Sequence, residues 1–107
     1  MCGIVGIVSQ HPVNQSLYDS LLVLQHRGQE SAGICAVDKA GEARLHKRLG
    51  LVAEVFDADV LDHLPGETAV GHVRYSTAGG GQLANAQPIM VRYAQGDLAI
   101  AHNGNLT

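Results

Sequence analysis

The chain opens, behind Met1, on the stretch CGIVGIV, which runs from Cys2 to Val8. This short apolar run predicts a buried strand that would hold the cysteine rigidly at its first residue. Once Met1 is removed, Cys2 carries a thiol that titrates near ~8.5 and an α-amine that titrates near ~7.7–8.0. One residue could therefore supply both a nucleophile and the weak base that carries its proton.

Composition narrows the classes of protein to consider. The chain has 107 residues, 46% of them hydrophobic, and a formal net charge of −3, so it fits one small domain or part of a larger one. It contains no long run of charge, which argues against nucleic acid or a membrane surface as a partner. It also shows no membrane-spanning stretch and no secretory signal, so we expect a cytoplasmic protein. In that reducing compartment Cys2 and Cys35 are expected to form no disulfide, and Cys35 is expected to be a packed core thiol.

Hydrophobic spacing predicts an α+β chain in which strands predominate. Three leucines at helical spacing predict a helix over 13–25, which Gly28 is placed to end. One or two short helices are predicted over 52–64. Strands are predicted over 3–8, 31–37, 43–49, 68–75, 88–93 and 97–102, with hairpin turns at 38–41 and around 95–96. The chain stops just after the last of these strands, so we expect a fragment cut within a domain.

Four polar stretches interrupt the predicted strands and could converge into one site, namely 2–3, 26–31, 72–77 and 102–105. Arg74 lies in an otherwise apolar strand, where a charge is costly unless it has a partner. It could form an internal salt bridge, or it could clamp a ligand carboxylate in a bidentate manner. Thr77 could add a hydroxyl hydrogen bond to the same ligand.

Asn-Gly at positions 103 and 104 allows two interpretations. The pair is the commonest two-residue hairpin turn. Beside a terminal cysteine we interpret it as an oxyanion hole built from the Asn103 amide and the Gly104 N–H, where losing one donor typically costs ~2.7–4 kcal/mol. His26 and Arg27 follow the predicted helix and could serve its C-terminal dipole or the site.

Metal and phosphate sites are not indicated. The six histidines lack the spacing of metal ligands, so we expect no metal in this part of the chain. The three glycines at 79–81 match no phosphate-binding pattern. We expect them to belong to a loop that closes over a bound ligand.

Four motifs, taken together, resemble a known family. They are Cys2–Gly6, Leu24–Ile34, Gly71–Gly79 and Ala101–Thr107. In order and spacing they are similar to the glutaminase domain of the amidophosphoribosyltransferases, a family of class II, N-terminal-nucleophile glutamine amidotransferases. The resemblance implies an αββα four-layer sandwich. Residues 1–107 would be its incomplete N-terminal portion, and the phosphoribosyltransferase domain would lie beyond them.

The resemblance also implies a mechanism. Cys2 would attack the carboxamide of glutamine while its own α-amine relays the proton, and Asn103 and Gly104 would stabilise the oxyanion. A glutamyl thioester would form, ammonia would leave, and water would release glutamate. In the full enzyme the ammonia would react with phosphoribosyl pyrophosphate to give 5-phosphoribosylamine, in the first step of de novo purine (IMP) biosynthesis.

Further expectations follow from the same resemblance. Arg74 and Thr77 would bind the α-carboxylate side of glutamine, and Arg27 would line the pocket. No cofactor is expected in this portion, whereas Mg²⁺ and, in some members, a 4Fe–4S cluster would be bound downstream. The full-length protein is expected to be a homo-oligomer, and the isolated 1–107 piece is expected to have little activity.

Related enzymes remain as alternatives. Glucosamine-6-phosphate synthase has a similar pattern but tends to carry Tyr-Arg-Gly where this chain has His26–Gly28, Trp in place of Tyr75 and His in place of Ala78. Asparagine synthetase and glutamate synthase share the terminal cysteine and less of the rest. A fragment that binds glutamine without turning it over is the alternative from another class.

Overall fold

Four antiparallel strands form the main sheet of the computed structural model, which describes residues 3–25, 29–75, 86–93 and 96–102. The sheet order is β1-β4-β2-β3, with β1 at Gly3–Val8, β2 at Gln29–Val37, β3 at Ala43–Leu49 and β4 at Thr68–Tyr75. The helices are α1 (Asn14–Leu24), α2 (Val52–Val55) and α3 (Ala58–Asp62). A separate hairpin pairs β5 (Ile89–Tyr93) with β6 (Gly96–Ile100).

Helix α1 covers one face of the main sheet. It buries Leu17 and Leu21 completely, and burying a leucine contributes about 1.5–3 kcal/mol. Alternate residues of a strand share a face, so Ile34 and Val73 meet the helix from the sheet side. Gly71 allows this close packing, because a Cβ there would lie 3.2 Å from the Leu21 side chain. The small residues of the sheet thus make room for the large residues of the helix.

Most predicted elements are confirmed. Strands β1, β3 and β4 have the predicted bounds, β2 begins two residues earlier than predicted, and the 52–64 region contains two short helices. Cys35 is buried, as expected for a packed thiol. The predicted hairpin turn at 38–41 is present, with Asp38 accepting hydrogen bonds from the backbone of Ala40 and Glu42.

The helix predicted over 13–25 is confirmed within one residue at each end, but it stops before Gly28, the residue predicted to end it. Helix α1 ends at Leu24, because Gln25 already has an extended backbone with φ −69° and ψ 128°. The Gln25 side chain accepts a hydrogen bond from Val52 N at 2.8 Å, a contact 27 residues along the chain. This tertiary contact favours the extended conformation of Gln25, so the helix has already ended before Gly28.

The other face of the main sheet is only partly covered. Ile4 and Val8 on the edge strand are 41% and 83% exposed. Ala99 of strand β6 approaches this face and lines, together with it, an open cavity of about 350 Å³. The cavity is mostly apolar, and its lining includes Gly6, Val8, Cys35, Val37, Val70 and Ala99.

The fold is therefore α+β, with helices on one side of an antiparallel sheet and a strand hairpin on the other. None of the helices that the structure describes has the length and apolar character needed to cross a membrane.

Candidate functional site

The structure describes Arg74, one of the six residues that the sequence places in the site. The other five, together with the glycine-rich stretch at 79–81, lie outside the described residues. These five are Cys2, Arg27, Thr77, Asn103 and Gly104. The described residues next to them nevertheless define where the four motifs meet.

Strand β4 joins three of the motifs at one end of the main sheet. Gly3, the residue after Cys2, is the cross-strand partner of Val73. On the other side of β4, Ser31 is the partner of Arg74 and Gln29 is the partner of Tyr75. The first residues of β1 and β2 therefore flank the last residues of β4.

Side-chain hydrogen bonds connect the end of α1 and the segment before Asn103 to the same end of the main sheet. The Tyr75 hydroxyl donates to the carbonyl of Leu24, the last residue of α1, at 2.5 Å. Nε2 of His72 lies 3.0 Å from the carbonyl oxygen of His102, the residue before Asn103. All four motifs consequently reach one end of the sheet.

Arg74 forms an ion pair with Glu30 at this end. Nε of Arg74 lies 3.3 Å from Oε2 of Glu30, and the two side chains are only 15% and 16% exposed. The salt-bridge interpretation of Arg74 is thus confirmed. It is compatible with a ligand clamp, because a guanidinium carries five N–H donors and can serve several acceptors.

Glu30 occupies an irregular point of the sheet. The register between β2 and β4 shifts between Gln29 and Ser31, so Glu30 is the extra residue of a β-bulge. Its backbone carbonyl accepts from Gly50 N at 2.8 Å, and the Gln29 amide donates to the carbonyls of Ser31 and Gly50 at 2.7 and 2.8 Å. These bonds fix the bulge and aim the Glu30 carboxylate at the guanidinium.

His72 is completely buried in β4. A carbonyl oxygen only accepts, so Nε2 of His72 must carry the proton that it shares with His102. Burial, and secondarily the charge of Arg74, lowers the pKa of His72, while the bond to His102 opposes this shift. The imidazole is therefore neutral at pH 7.

The sequence alone assigned no individual role to Glu30, Gln87 or His72. The Gln87 side chain accepts a hydrogen bond from His102 N at 2.6 Å. Two signals were available in the sequence. Glu30 places a carboxylate directly beside a predicted strand, and His72 places an imidazole within one. Gln87 carries no such signal, because its partner is 15 residues away.

No group of three or more His, Cys, Asp or Glu side chains within the described ranges could hold a metal ion. The Mg²⁺ and the iron–sulfur cluster expected beyond residue 107 stay predictions.

The site and the fold define the class of protein. The family of class II glutamine amidotransferases matches residues 1–107, and the chain belongs to that family. The resemblance stated from the four motifs is confirmed.

Within this family, the chain is similar to amidophosphoribosyltransferases. The chain is 55% identical over 107 residues to the amidophosphoribosyltransferase of Pasteurella multocida and 53% identical to that of Escherichia coli, covering 100% of this chain and 21% of each relative. A solved structure of glutamine phosphoribosylpyrophosphate amidotransferase from B. subtilis, complexed with ADP and GMP, matches with a TM-score of 0.84 and 43% identity. That match covers 99% of this chain and 22% of the other chain. The chain thus spans about a fifth of the length of these relatives.

Proposed function

We propose that this chain is the glutaminase part of an amidophosphoribosyltransferase. It hydrolyses glutamine to glutamate and ammonia, and the ammonia reacts with phosphoribosyl pyrophosphate to give 5-phosphoribosylamine, which opens de novo purine biosynthesis. One observation carries the proposal: described residues of all four motifs meet at the end of β4 that carries Arg74. The similarity to amidophosphoribosyltransferases over the whole chain supports it.

The nucleophile in this proposal is Cys2 with its α-amine unblocked. Its neighbour Gly3 pairs with Val73, the residue before Arg74, so the start of β1 and Arg74 lie at the same end of the main sheet. The thiol proton passes to the α-amine as sulfur attacks the glutamine amide carbon, and the amine then protonates the departing ammonia. Water attacks the resulting thioester, which releases glutamate and restores the thiol.

The oxyanion is stabilised by Asn103 and Gly104. Preorganised donors of this kind act on charge that develops only in the transition state, so they raise the rate rather than the affinity for glutamine. His102 precedes them and is bound to His72 in the centre of the sheet. This attachment supports a fixed location for the donors.

Glutamine is bound through its α-carboxylate by Arg74 and Thr77, and Arg27 lines the pocket. A planar guanidinium can hold a carboxylate with two parallel hydrogen bonds. Glu30 contacts Nε of Arg74 and orients the guanidinium for this task. The carboxylate therefore fixes one end of glutamine while Cys2 attacks the other end.

The remaining features of the whole protein are part of the same proposal. The described α+β portion belongs to an αββα sandwich, in which the β5–β6 hairpin contributes to the second sheet. The partly exposed face of the main sheet, with Ile4 and Val8, supports further covering by that layer. A phosphoribosyltransferase domain with Mg²⁺, an iron–sulfur cluster in some members, assembly into a homo-oligomer and a cytoplasmic location complete the proposal.

The two cysteines provide a matched test in the full-length protein. Cys2→Ala removes the nucleophile and should abolish glutamine hydrolysis, while synthesis from added ammonia and phosphoribosyl pyrophosphate continues. Cys35→Ala replaces a buried thiol elsewhere in the sheet and should leave hydrolysis within about three-fold of the parent rate. Glutamate release is the measurement, and intact mass verifies that Met1 is gone. Undiminished hydrolysis in Cys2→Ala would refute the proposal, and glutamine binding without hydrolysis in the parent would favour the non-catalytic alternative.

A further inference from the structure

The backbone of His102 is held on both of its polar groups. Its carbonyl oxygen lies 3.0 Å from Nε2 of His72, and its N–H donates to Oε1 of Gln87 at 2.6 Å. The two side chains come from different segments, 30 and 15 residues away along the chain. A backbone unit bound in this way can neither shift nor rotate without breaking a hydrogen bond.

Gln87 is itself seated tightly on the main sheet. A Cβ at Gly33 would collide with the carbonyl oxygen of Gln87, so only glycine allows this approach. The preceding carbonyl, that of Ala86, accepts from Nζ of Lys47 at 2.9 Å. Gly33 pairs with His72 on one side and with Lys47 on the other. Gly33 is therefore the point at which both groups that hold His102 are anchored.

The chemical state of His72 suits the task. Its Nε2–H donates to a carbonyl, and its Nδ1 has no hydrogen-bond partner among the described residues. Burial keeps the pKa of His72 below its usual value, so the ring stays neutral. It is thus available as a rigid hydrogen-bond donor. Gln87, only 7% exposed, is the complementary rigid acceptor.

We propose that His72 and Gln87 are positioning residues that fix the peptide of His102. They thereby aim the two oxyanion donors, Asn103 and Gly104, which follow His102 directly in the chain. The inference rests on the proposed glutaminase function and adds the residues that hold the oxyanion hole in place.

The physical reason is geometric. Oxyanion donors act only when they lie about 2.7–3.1 Å from the position that the oxyanion will occupy. A displacement of about 1 Å can lower a rate about 10²-fold. His102 directly precedes the two oxyanion donors, so a shift of its backbone would be passed on to them. His72 and Gln87 bind the carbonyl and the N–H of this residue.

The test uses the full-length protein and two substitutions at one position. His72→Phe keeps a ring of similar size but removes the donor, and should lower kcat for glutamine hydrolysis about 10- to 100-fold with far less change in KM. His72→Gln retains an N–H at the end of a side chain of similar length and should recover much of the lost kcat. Such rescue would not follow if the ring merely filled space.

His46 provides the matched control. Its Nε2 also lies close to a backbone carbonyl, that of Val55 at 3.1 Å, but on the helical side of the sheet. His46→Phe likewise removes a contact between a ring nitrogen and a backbone carbonyl, and it should leave kcat within about three-fold of the parent value. The comparison separates loss of stability from loss of positioning.

Gln87→Met gives an independent measurement on the second holding residue. It removes the acceptor for His102 N and should also lower kcat more than KM. Alkylation of Cys2 by iodoacetamide, a displacement that forms no oxyanion, should proceed at the parent rate in every variant. A normal alkylation rate shows that the nucleophile is intact, so that a loss of kcat comes from displaced oxyanion donors. If His72→Phe does not fold, Gln87→Met is the variant that tests the inference.

The outcomes are distinct. A kcat equal to that of the parent in folded His72→Phe overturns the inference. If His72→Phe does not fold, the same result in folded Gln87→Met overturns it. An equal loss of kcat in His46→Phe overturns it as well. If the parallel Cys2→Ala variant hydrolyses glutamine normally, the proposed function itself has failed. A loss of kcat in both variants, with rescue by His72→Gln and normal alkylation, supports the inference.

Discussion

At the scale of single residues, the site is organised by buried polar groups that have specific partners. Arg74 is tolerated within the sheet because Glu30 balances its charge. His72 is tolerated because the carbonyl of His102 accepts its N–H. In the proposed function the Glu30–Arg74 pair also orients the guanidinium, through the contact between Glu30 Oε2 and Arg74 Nε.

This pair predicts a defect in glutamine binding. Glu30→Gln keeps an oxygen that can accept from Nε of Arg74 but removes the charge. A hydrogen bond to a charged group contributes about 1.5–3 kcal/mol, so losing part of it should raise KM for glutamine about ten-fold in the full-length protein. We expect kcat to change less than KM. Steady-state kinetics of glutamine hydrolysis provide the measurement.

Glu42→Gln is the control for this change. It removes an ion pair between Glu42 and Arg44 with a 3.1 Å contact, but the Glu42 side chain is 64% exposed. Exposed pairs contribute only about 0.2–1 kcal/mol, so kinetics should stay at parent values. An unchanged KM in Glu30→Gln would show that the carboxylate does not orient Arg74.

At the scale of elements, the site is formed where strand ends meet, and the sequence predicts this only in part. The short apolar run of β1 and the strand-like runs of β3 and β4 were sufficient to predict the bounds of these strands. The end of α1 is predicted to within one residue, but the hydrogen bond from Val52 N to the Gln25 side chain just after it could not be predicted, since the two residues lie 27 positions apart. The bulge at Glu30 was hidden for the same reason, as its stabilising partner Gly50 is distant in sequence.

The close approach at Gly33 predicts a strong effect from one methyl group. In Gly33→Ala the new Cβ would collide with the carbonyl oxygen of Gln87 and lie 2.8 Å from Lys47 Cβ. Overpacking of this kind costs about 1–3 kcal/mol, and here it would also displace the segment that holds His102. Thermal unfolding of the full-length protein should show a lower midpoint, together with slower glutamine hydrolysis.

Gly6→Ala is the matched substitution on the neighbouring edge of the same sheet. A Cβ at Gly6 meets no atom within 4 Å in the described structure, so little change is expected. Equal effects of the two substitutions would mean that the close approach of Gln87 to Gly33 has no special role.

At the scale of the whole molecule, the described residues form a helical layer, a main sheet and a hairpin that approaches its second face. The candidate site lies at the end of the main sheet where β4 stops, and the described parts of all four motifs reach it. The sequence predicted that these motifs would converge, because their residue types serve one chemistry. It could not show that His72 and Gln87 hold the chain before Asn103, because that requires the register of β4 beside Gly33.

The central claim is that Cys2 and Arg74 act on opposite ends of one glutamine molecule. A crystal structure of the full-length protein with glutamate bound tests it most directly. We predict that the guanidinium of Arg74 binds the α-carboxylate at about 2.7–2.9 Å and that the Cys2 sulfur lies against the side-chain carboxyl carbon. Glutamate bound away from Arg74, or a Cys2 sulfur remote from that carbon, would contradict the account.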